Sequence, residues 1–540
     1  MRKNDIVELT ITDTTAEGSG VGRDGGMVVF VPGAFTGDVL RARIIKCTRK
    51  YCVGRIEELL SPSKDRISSC CKAFPACGGC MFPHISYAAE LEMKRRWVEE
   101  NFRRIGGVDI TAERVIPSPL TEGYRNKGIY PLALDSDGNV RAGFYARHSH
   151  RISGVPDCAL HPAFFGDIVK EAASFLQEER VSIYSEETGE GLARSIYIRH
   201  GEISGETMVC LVVNGDGLPG EDRLAARLQK FPQVSGLVIN VNTAPGNVLL
   251  GEKCRTVFGK GSITDELRGL KFEIAPTAFY QVNRRGAELL YGAAEEYAAP
   301  DGGLLIDLYC GAGTIGLSMA GRAGRVIGAE IVPSAVENAR ENARRNGISN
   351  AEFILADAAE AARELELRGE RPDVVVLDPP RAGCDAGVIE AVANMSPSRV
   401  VMVSCNSATA ARDVSLFISR GYLPQRMTVV DMFPRTGHVE TVCLLSKLKS
   451  TQHIEVEVKM DELDLTDAEK KATYQEIKDY VLEHSGLKVS ILYIAQVKQK
   501  CGIIERENYN KPKSEDARQP QCPPEKEKAI KEALKHFGMI

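Results

Sequence analysis

No run of about 18 apolar residues occurs anywhere in the 540-residue chain, so a membrane-spanning helix is not expected. An apolar leader is missing as well: the chain opens MRKNDIVELT, which predicts no secretory signal and a cytoplasmic protein. Neither sign of charge dominates. Lys+Arg 68 against Asp+Glu 73 gives a net charge of −5, so any phosphate-binding surface must be local. The fifteen cysteines are too sparse for the disulfide scaffold of a short secreted protein. What is present is ordinary for a globular chain: 43% hydrophobic and 26% charged residues. At roughly 150 residues per domain, the length suggests about three or four domains and more than one core. The cysteines are uneven, with Cys70, Cys71, Cys77 and Cys80 in one short stretch. In a reducing compartment such a cluster binds metal or reacts rather than cross-links.

Residues 1–60 read as all-β. Val7–Ile11, Met27–Val31, Val39–Ile45 and Cys52–Leu59 alternate or run β-branched, and glycines punctuate them. This predicts a small barrel. The stretch Arg41–Arg55 carries Arg41, Arg43, Lys46, Arg49, Lys50 and no acid. It reads either as a phosphate-tracking stripe with Tyr51 as a stacking residue, or as a solvated strand face. Residues 61–275 read as a mixed α+β segment with an amphipathic helix at 90–104. Residues 276–450 alternate strand and helix, with strands at Leu304–Leu308, Arg325–Glu330, Ala351–Leu355, Val374–Leu377, Val400–Val403 and Val439–Leu445. That alternation predicts an α/β fold with a doubly wound, Rossmann-like sheet. Residues 451–540 form an appendix of unknown role. Asp464–Glu469 reads as a capping-box helix start, Pro512–Pro524 as a loop and Glu525–His536 as a charged helix.

The chemistry gathers in residues 276–450. Asp307-Leu-Tyr309-Cys-Gly311-Ala-Gly313-Thr314-Ile-Gly316 is a strand, a glycine turn and a helix start, with Glu330 at the end of the next strand. Glycines let backbone approach a nucleoside ligand, and an acid so placed binds ribose hydroxyls. The turn alone leaves a dinucleotide and S-adenosylmethionine both open. Val374–Leu377 runs into Asp378-Pro379-Pro380-Arg381, where stiff prolines aim the carboxylate beyond the strand end. This resembles the substrate-facing motif of methyltransferases acting on planar nitrogen or base substrates; the bland reading is a turn after a core strand. Val403-Ser404-Cys405-Asn406 puts a thiol at a second strand end. Alone it is more often an inert small hydrophobe, but it shares the crevice expected for Asp378. Asp431–Glu440 contains His438 and Glu440, readable as core-edge groups or as base and partner. One chemistry needs this whole set. A thiolate added at carbon 6 of uracil makes carbon 5 nucleophilic toward a sulfonium methyl, and a base must then remove the carbon-5 proton. The base has to leave its stack to reach such a crevice.

Over residues 1–447 the chain resembles the RNA 5-methyluridine methyltransferase family, most closely its 23S ribosomal RNA uracil-5 branch. The motifs are Phe279-Tyr280-Gln281-Val282-Asn283, Asp307–Gly316, Leu377–Arg381, Val403–Asn406 and Asp431–Glu440. The resemblance implies that Cys405 is the nucleophile and Glu440 the base. It implies that Gln281, Tyr309, Gly311, Gly313, Thr314, Glu330 and Asp357 contact the methyl donor. Asp378 then lies between donor and base, and Arg381 holds substrate. Thr314 departs from the Asn frequent in the family. The resemblance also implies a [4Fe–4S] cluster on Cys71, Cys77, Cys80 and Cys158. Geometry alone leaves zinc open, and Cys70 competes for the register. It makes residues 1–60 a TRAM-like RNA-binding barrel, with ribosomal RNA as partner and no obligate protein partner. The same reaction on the T-loop of transfer RNA is the nearest alternative. A non-catalytic Fe–S RNA-binding protein and a dinucleotide oxidoreductase are more remote.

Overall fold

The computed structural model describes residues 1–147, 149, 151–246, 248–448, 474–501, 522–537 and 539. Six strands open the chain: β1 (Ile6–Thr10), β2 (Asp13–Thr14), β3 (Ser19–Asp24), β4 (Met27–Pro32), β5 (Val39–Cys47) and β6 (Tyr51–Ser61). They form one sheet in the order β1-β5-β6-β4-β3-β2. Its alternate residues Leu9, Val29, Val31, Leu40, Ala42 and Ile44 bury a common core. Gly20 lets the sheet curl tightly, since a Cβ there would stand 2.8 Å from both Ala34 and Ile11.

On the sheet, acids of neighbouring strands meet the Arg41–Arg55 stretch. The antiparallel register sets Arg41 between Glu8 of β1 and Glu58 of β6. Arg41 pairs with Glu58 at 2.9 Å and Arg43 with Glu57 at 2.8 Å. The acids come from neighbouring strands, which a window along one strand does not show. Lys46, Arg49, Lys50 and Tyr51 remain at the exposed β5–β6 turn, with Tyr51 edge-on to Phe30. Cys47 and Cys52 face one another across this turn and are joined as a disulfide. The metal-or-reactive reading of the cysteines did not anticipate that pair.

Next come α1 (Tyr87–Arg104) and β7 (Arg114–Ile116). Ser86 caps α1, accepting from the Ala89 amide. A second sheet follows from β8 (Lys127–Leu134), β9 (Val140–Ala142), β10 (Ala193–His200), β11 (Thr207–Val213), β12 (Val234–Val241) and β13 (Lys253–Phe258). Its order is β13-β12-β11-β10-β8-β9. Helices α2 (Phe164–Glu178) and α3 (Glu221–Leu228) bury apolar faces against it. The ribbon of β14 (Ile263–Leu267) and β15 (Leu270–Ile274) leads into the last sheet.

That sheet takes β16 (Leu304–Leu308), β17 (Arg325–Glu330), β18 (Ala351–Leu355), β19 (Val374–Leu377), β20 (Arg399–Ser404), β21 (Tyr422–Val430) and β22 (Glu440–Lys447). With β7 at its edge, the order is β18-β17-β16-β19-β20-β22-β21-β7. β22 runs antiparallel to both neighbours, and the pairings from β18 to β20 are parallel. Helices α4 (Arg284–Ala298), α5 (Thr314–Met319), α6 (Pro333–Arg345), α7 (Ala358–Leu367), α8 (Ala386–Met395) and α9 (Ser407–Ile418) complete the alternation. Val374–Leu377 is wholly buried, as a strand covered on both faces must be. Val98 and Phe102 of α1 share one of the two flanking cores, against α9. The chain reverses winding between β16 and β19, so a crevice opens at their carboxyl ends.

Residues 451–540 form a separate unit. In it α10 (Tyr474–Ser485), α11 (Ile491–Lys500) and α12 (Pro524–His536) close over Ile477, Val481, Ile494, Val497, Ile530 and Leu534. The capping box expected at Asp464–Glu469 and most of the Pro512–Pro524 loop lie outside the described residues. Among the described residues no helix is long and apolar enough to cross a membrane.

Candidate active site

Antiparallel pairing brings the proposed nucleophile and base together. The β20–β22 ladder ends at Ser404 opposite Thr441, so the next positions in register are Cys405 and Glu440. Residues directly opposite in such a pair lie about 4.5–5.5 Å apart at Cα. Two strands away, the β16–β19 pairing ends at Leu308 and Leu377, immediately before Tyr309 and Asp378. The charged groups act on one another. Burial and then Asp378 push Glu440 up to about 8, while Arg381 opposes the rise. Burial pushes Asp378 up to about 7. Burial, Glu440 and Asp378 raise the Cys405 thiol, and Arg381 again opposes. Cys405 is half-buried and Glu440 buried.

Several motif residues hold the backbone in place. Asn406 caps α9 through the Ala408 amide, and its Nδ2 donates to the Arg381 carbonyl at 3.0 Å. Asn283 caps α4 and Asp357 caps α7. Glu330 accepts from the amides of Gly311 and Val332, each at 3.0 Å. Both its oxygens keep a free lone-pair direction. Asp307 accepts from the Gly316 amide at 2.8 Å, and burial lifts it to about 7.

The donor side can be tested for fit. Gly311 and Gly313 adopt φ of +55° and +79°, and nothing lies within 4 Å of a Cβ built on Gly311. Asp307 Oδ1 is buried without a partner. Ile331 and Leu355, just past β17 and at the end of β18, are 61% and 50% exposed, an apolar surface of the kind an adenine ring covers. Open backbone, paired acids and bare apolar side chains suit a nucleoside-bearing donor. Tyr291, which motif reading passed over, is central here. Its hydroxyl lies 3.1 Å from Thr314 Oγ1, and Gln281 and Asp378 both act on it. Helical spacing from Asn283 was its one available signal.

Cys405 and Arg381 open onto a cleft of about 1530 Å³, whose other walls include Trp97 and Asn101 of α1, and Arg125 and Arg147. The barrel reaches this cleft through Asp13–Glu17, Ser19 and Pro32, not through the Arg41–Tyr51 stripe. Arg381 lies 3.4–3.5 Å from both ring nitrogens of His438. A second cavity, of about 490 Å³, is lined by Cys71, Cys77, Cys80 and Cys158. Burial and the thiols of Cys158, Cys71 and Cys77 push Cys80 up to about 12. Cys70 also borders the cavity but bonds Glu122 Oε1 at 2.9 Å. Among the described residues no group of three or more His, Cys, Asp or Glu is placed to hold a metal ion.

The tRNA (uracil-5-)-methyltransferase family profile matches residues 251–448, and the TRAM domain profile matches residues 2–56. The chain is 38% identical to an uncharacterized RNA methyltransferase of Halalkalibacterium halodurans, over 82% of this chain and 98% of that one. It is 37% identical to one of Clostridium tetani, over 83% and 97%. Among solved structures it resembles the Pyrococcus abyssi tRNA (uracil-54, C5)-methyltransferase bound to S-adenosyl-L-homocysteine. That likeness has a TM-score of 0.66 and 27% identity, over 81% of this chain and 100% of that one. The protein is therefore a member of the S-adenosylmethionine-dependent uracil-5 RNA methyltransferase family, with an N-terminal TRAM domain.

Proposed function

We propose that this enzyme methylates carbon 5 of a uridine in 23S ribosomal RNA, with Cys405 as nucleophile and Glu440 as base. The observation that supports this reading is the β20–β22 register, whose next position after Ser404–Thr441 sets Cys405 opposite Glu440, with Cys405 on the wall of the cleft. Cys405 adds as a thiolate to carbon 6, and the electron pair of the 5,6 double bond moves to carbon 5. When bound, S-adenosylmethionine would supply an electrophilic methyl group to carbon 5, its S–CH3 bond breaking to leave the neutral thioether S-adenosyl-L-homocysteine. Glu440 then removes the carbon-5 proton, the pair returns to the 5,6 bond, and the Cys405 thiolate is expelled. A carboxylate near 8 is a far better acceptor for that proton than a solvated one. Asp378, near 7, is partly protonated at neutral pH and can donate a hydrogen bond to the ring. Gln281, Tyr309, Gly311, Gly313, Thr314, Glu330, Asp357 and Asp378 hold the donor, and Arg381 the RNA. The barrel at 1–60 and the segment 61–275 grip RNA while 276–450 performs the transfer.

We also propose that Cys71, Cys77, Cys80 and Cys158 hold a [4Fe–4S] cluster. Four thiols line one cavity, a donor set that suits either zinc or an iron–sulfur cluster, and the family resemblance favours the cluster. Such a cluster, when bound, cross-links the thiols and can carry an electron. Iron and sulfide analysis of anaerobically purified protein checks it: four irons per chain are expected, and zinc alone refutes it.

The Cys405→Ala variant tests the main reading. It is expected to bind donor normally and to methylate no RNA; full methylation by it refutes the nucleophile. The second reading, methylation of a transfer-RNA T-loop, is favoured by the likeness to the Pyrococcus abyssi enzyme, which aligns over its whole length. Mass spectrometry of ribosomal and transfer RNA from a deletion strain decides: loss of a 5-methyluridine from 23S RNA is expected, and loss from transfer RNA alone overturns the assignment.

A further inference from the structure

The segments bearing Cys405 and Glu440 are both gripped by one helix, α1, that lies about three hundred residues before them in the chain. Lys94 and Asn101 of α1 are seven residues apart, two turns, so they share a face about 10 Å apart along the axis. The Lys94 side chain is wholly buried. Its Nζ donates to Glu90 Oε1 at 2.8 Å, Asp431 Oδ1 at 2.8 Å and the Phe433 carbonyl at 3.2 Å, which uses all three ammonium protons. Asp431 and Phe433 belong to the loop between β21 and β22, whose far end is Glu440. Asn101 Nδ2 donates to Ser407 Oγ at 2.8 Å, two residues beyond Cys405.

The rest of that loop is held equally closely. Asn283 donates to the Met432 carbonyl, Tyr124 to the Pro434 carbonyl, and the Met81 and Phe82 amides to the Arg435 carbonyl. Arg435 in turn donates its own amide to Glu90. A buried ion set is poor at adding stability, because desolvation offsets most of the attraction. It is good at fixing geometry, since few arrangements pair these charges, although Glu90 Oε2 and Asp431 Oδ2 are left without a hydrogen bond.

We propose that Lys94 and Asn101 are positioning residues that together set the separation of Cys405 and Glu440. This rests on the roles given to those two residues above. Asn101 governs the thiol-addition half of the reaction and Lys94 the proton-removal half. RNA carrying 5-fluorouridine separates the halves, because fluorine cannot leave as a cation and the reaction stops at the covalent methylated adduct. With the full chain and labelled donor, Asn101→Ala is expected to form this adduct about tenfold more slowly. Lys94→Met is expected to form it within about threefold of wild type. On ordinary RNA, Lys94→Met should lose about a hundredfold in turnover and accumulate adduct. Folded variants that slow both halves equally, or neither, overturn the proposal. If Lys94→Met does not fold, Tyr124→Phe, which removes one loop anchor and keeps the ring, takes its place, with adduct accumulation again expected and its absence overturning. Glu440→Gln is the control. If it accumulates no adduct, the base assignment itself fails; if it does while the α1 and Tyr124 variants behave as wild type, only the positioning claim fails.

Discussion

Burial, and then the nearby Asp378, hold the Glu440 carboxyl at about 8, well above an exposed glutamate. Between the ordinary carboxyl value and about 8, the unfolded chain is ionised at this position and the folded chain is not. The unfolded state then binds fewer protons, so stability falls as pH rises through that window. Glu440→Gln removes the titration and is expected to be more stable than wild type at pH 8, by about 1–3 kcal/mol, in the usual exchange of function for stability. Paired thermal melts at pH 5 and pH 8 check this, since the gain must be larger at pH 8. Arg381 works in the opposite direction, lowering both Glu440 and Cys405. Arg381→Met therefore raises both, and the pH–rate profile is expected to move up by about half a unit to one unit. A profile unmoved in single-turnover measurements contradicts the arrangement. The motifs made Cys405, Asp378 and Glu440 legible in the sequence as candidates. Lys94 was not, because its partner Asp431 is 337 residues away and a lysine on an amphipathic helix ordinarily faces water.

At the scale of elements, the inner strands were legible for a physical reason. Leu304–Leu308, Arg325–Glu330, Ala351–Leu355 and Val374–Leu377 are runs that stand out against glycine turns and polar helices, and the observed bounds coincide with the expected ones. The misses are strands whose pattern is weak. Tyr422–Val430 contains Pro424, tolerated at a register shift in the ladder, and Arg114–Ile116 has three residues and pairs with a strand three hundred positions on. The site motifs were legible partly because asparagine and aspartate there also start helices. Asn406 shows the two duties together, as it caps α9 and braces the Arg381 carbonyl. Asn406→Ala is expected to cost about 1 kcal/mol of stability and a larger share of activity. Asn406→Asp keeps the cap oxygen and lacks the donor to Arg381. It should recover the melting temperature and not the turnover; recovery of both assigns Asn406 to capping alone.

Across the whole molecule, the cleft and the thiol cavity are built from segments far apart in sequence, and one loop borders both. Arg435 lines the thiol cavity, while Thr436, Gly437, His438 and Val439 line the cleft. The barrel, α1 and the segment carrying Arg125 close the cleft from outside the catalytic sheet, so residues 1–448 form a joint unit around it. Among the described residues, the C-terminal helices have a core of their own. Their packing is internal: Ile477, Val481, Ile494, Val497, Ile530 and Leu534 bury one another. A unit with its own core adds little to the cooperativity of another. A chain ending at Ser450 is therefore expected to keep its main melting transition within about 3 °C and its donor affinity within about threefold. Calorimetry and donor titration of the two chains check this. A main transition lowered by about 10 °C would mean that residues 451–540 help to hold the fold that brings Cys405 and Glu440 together.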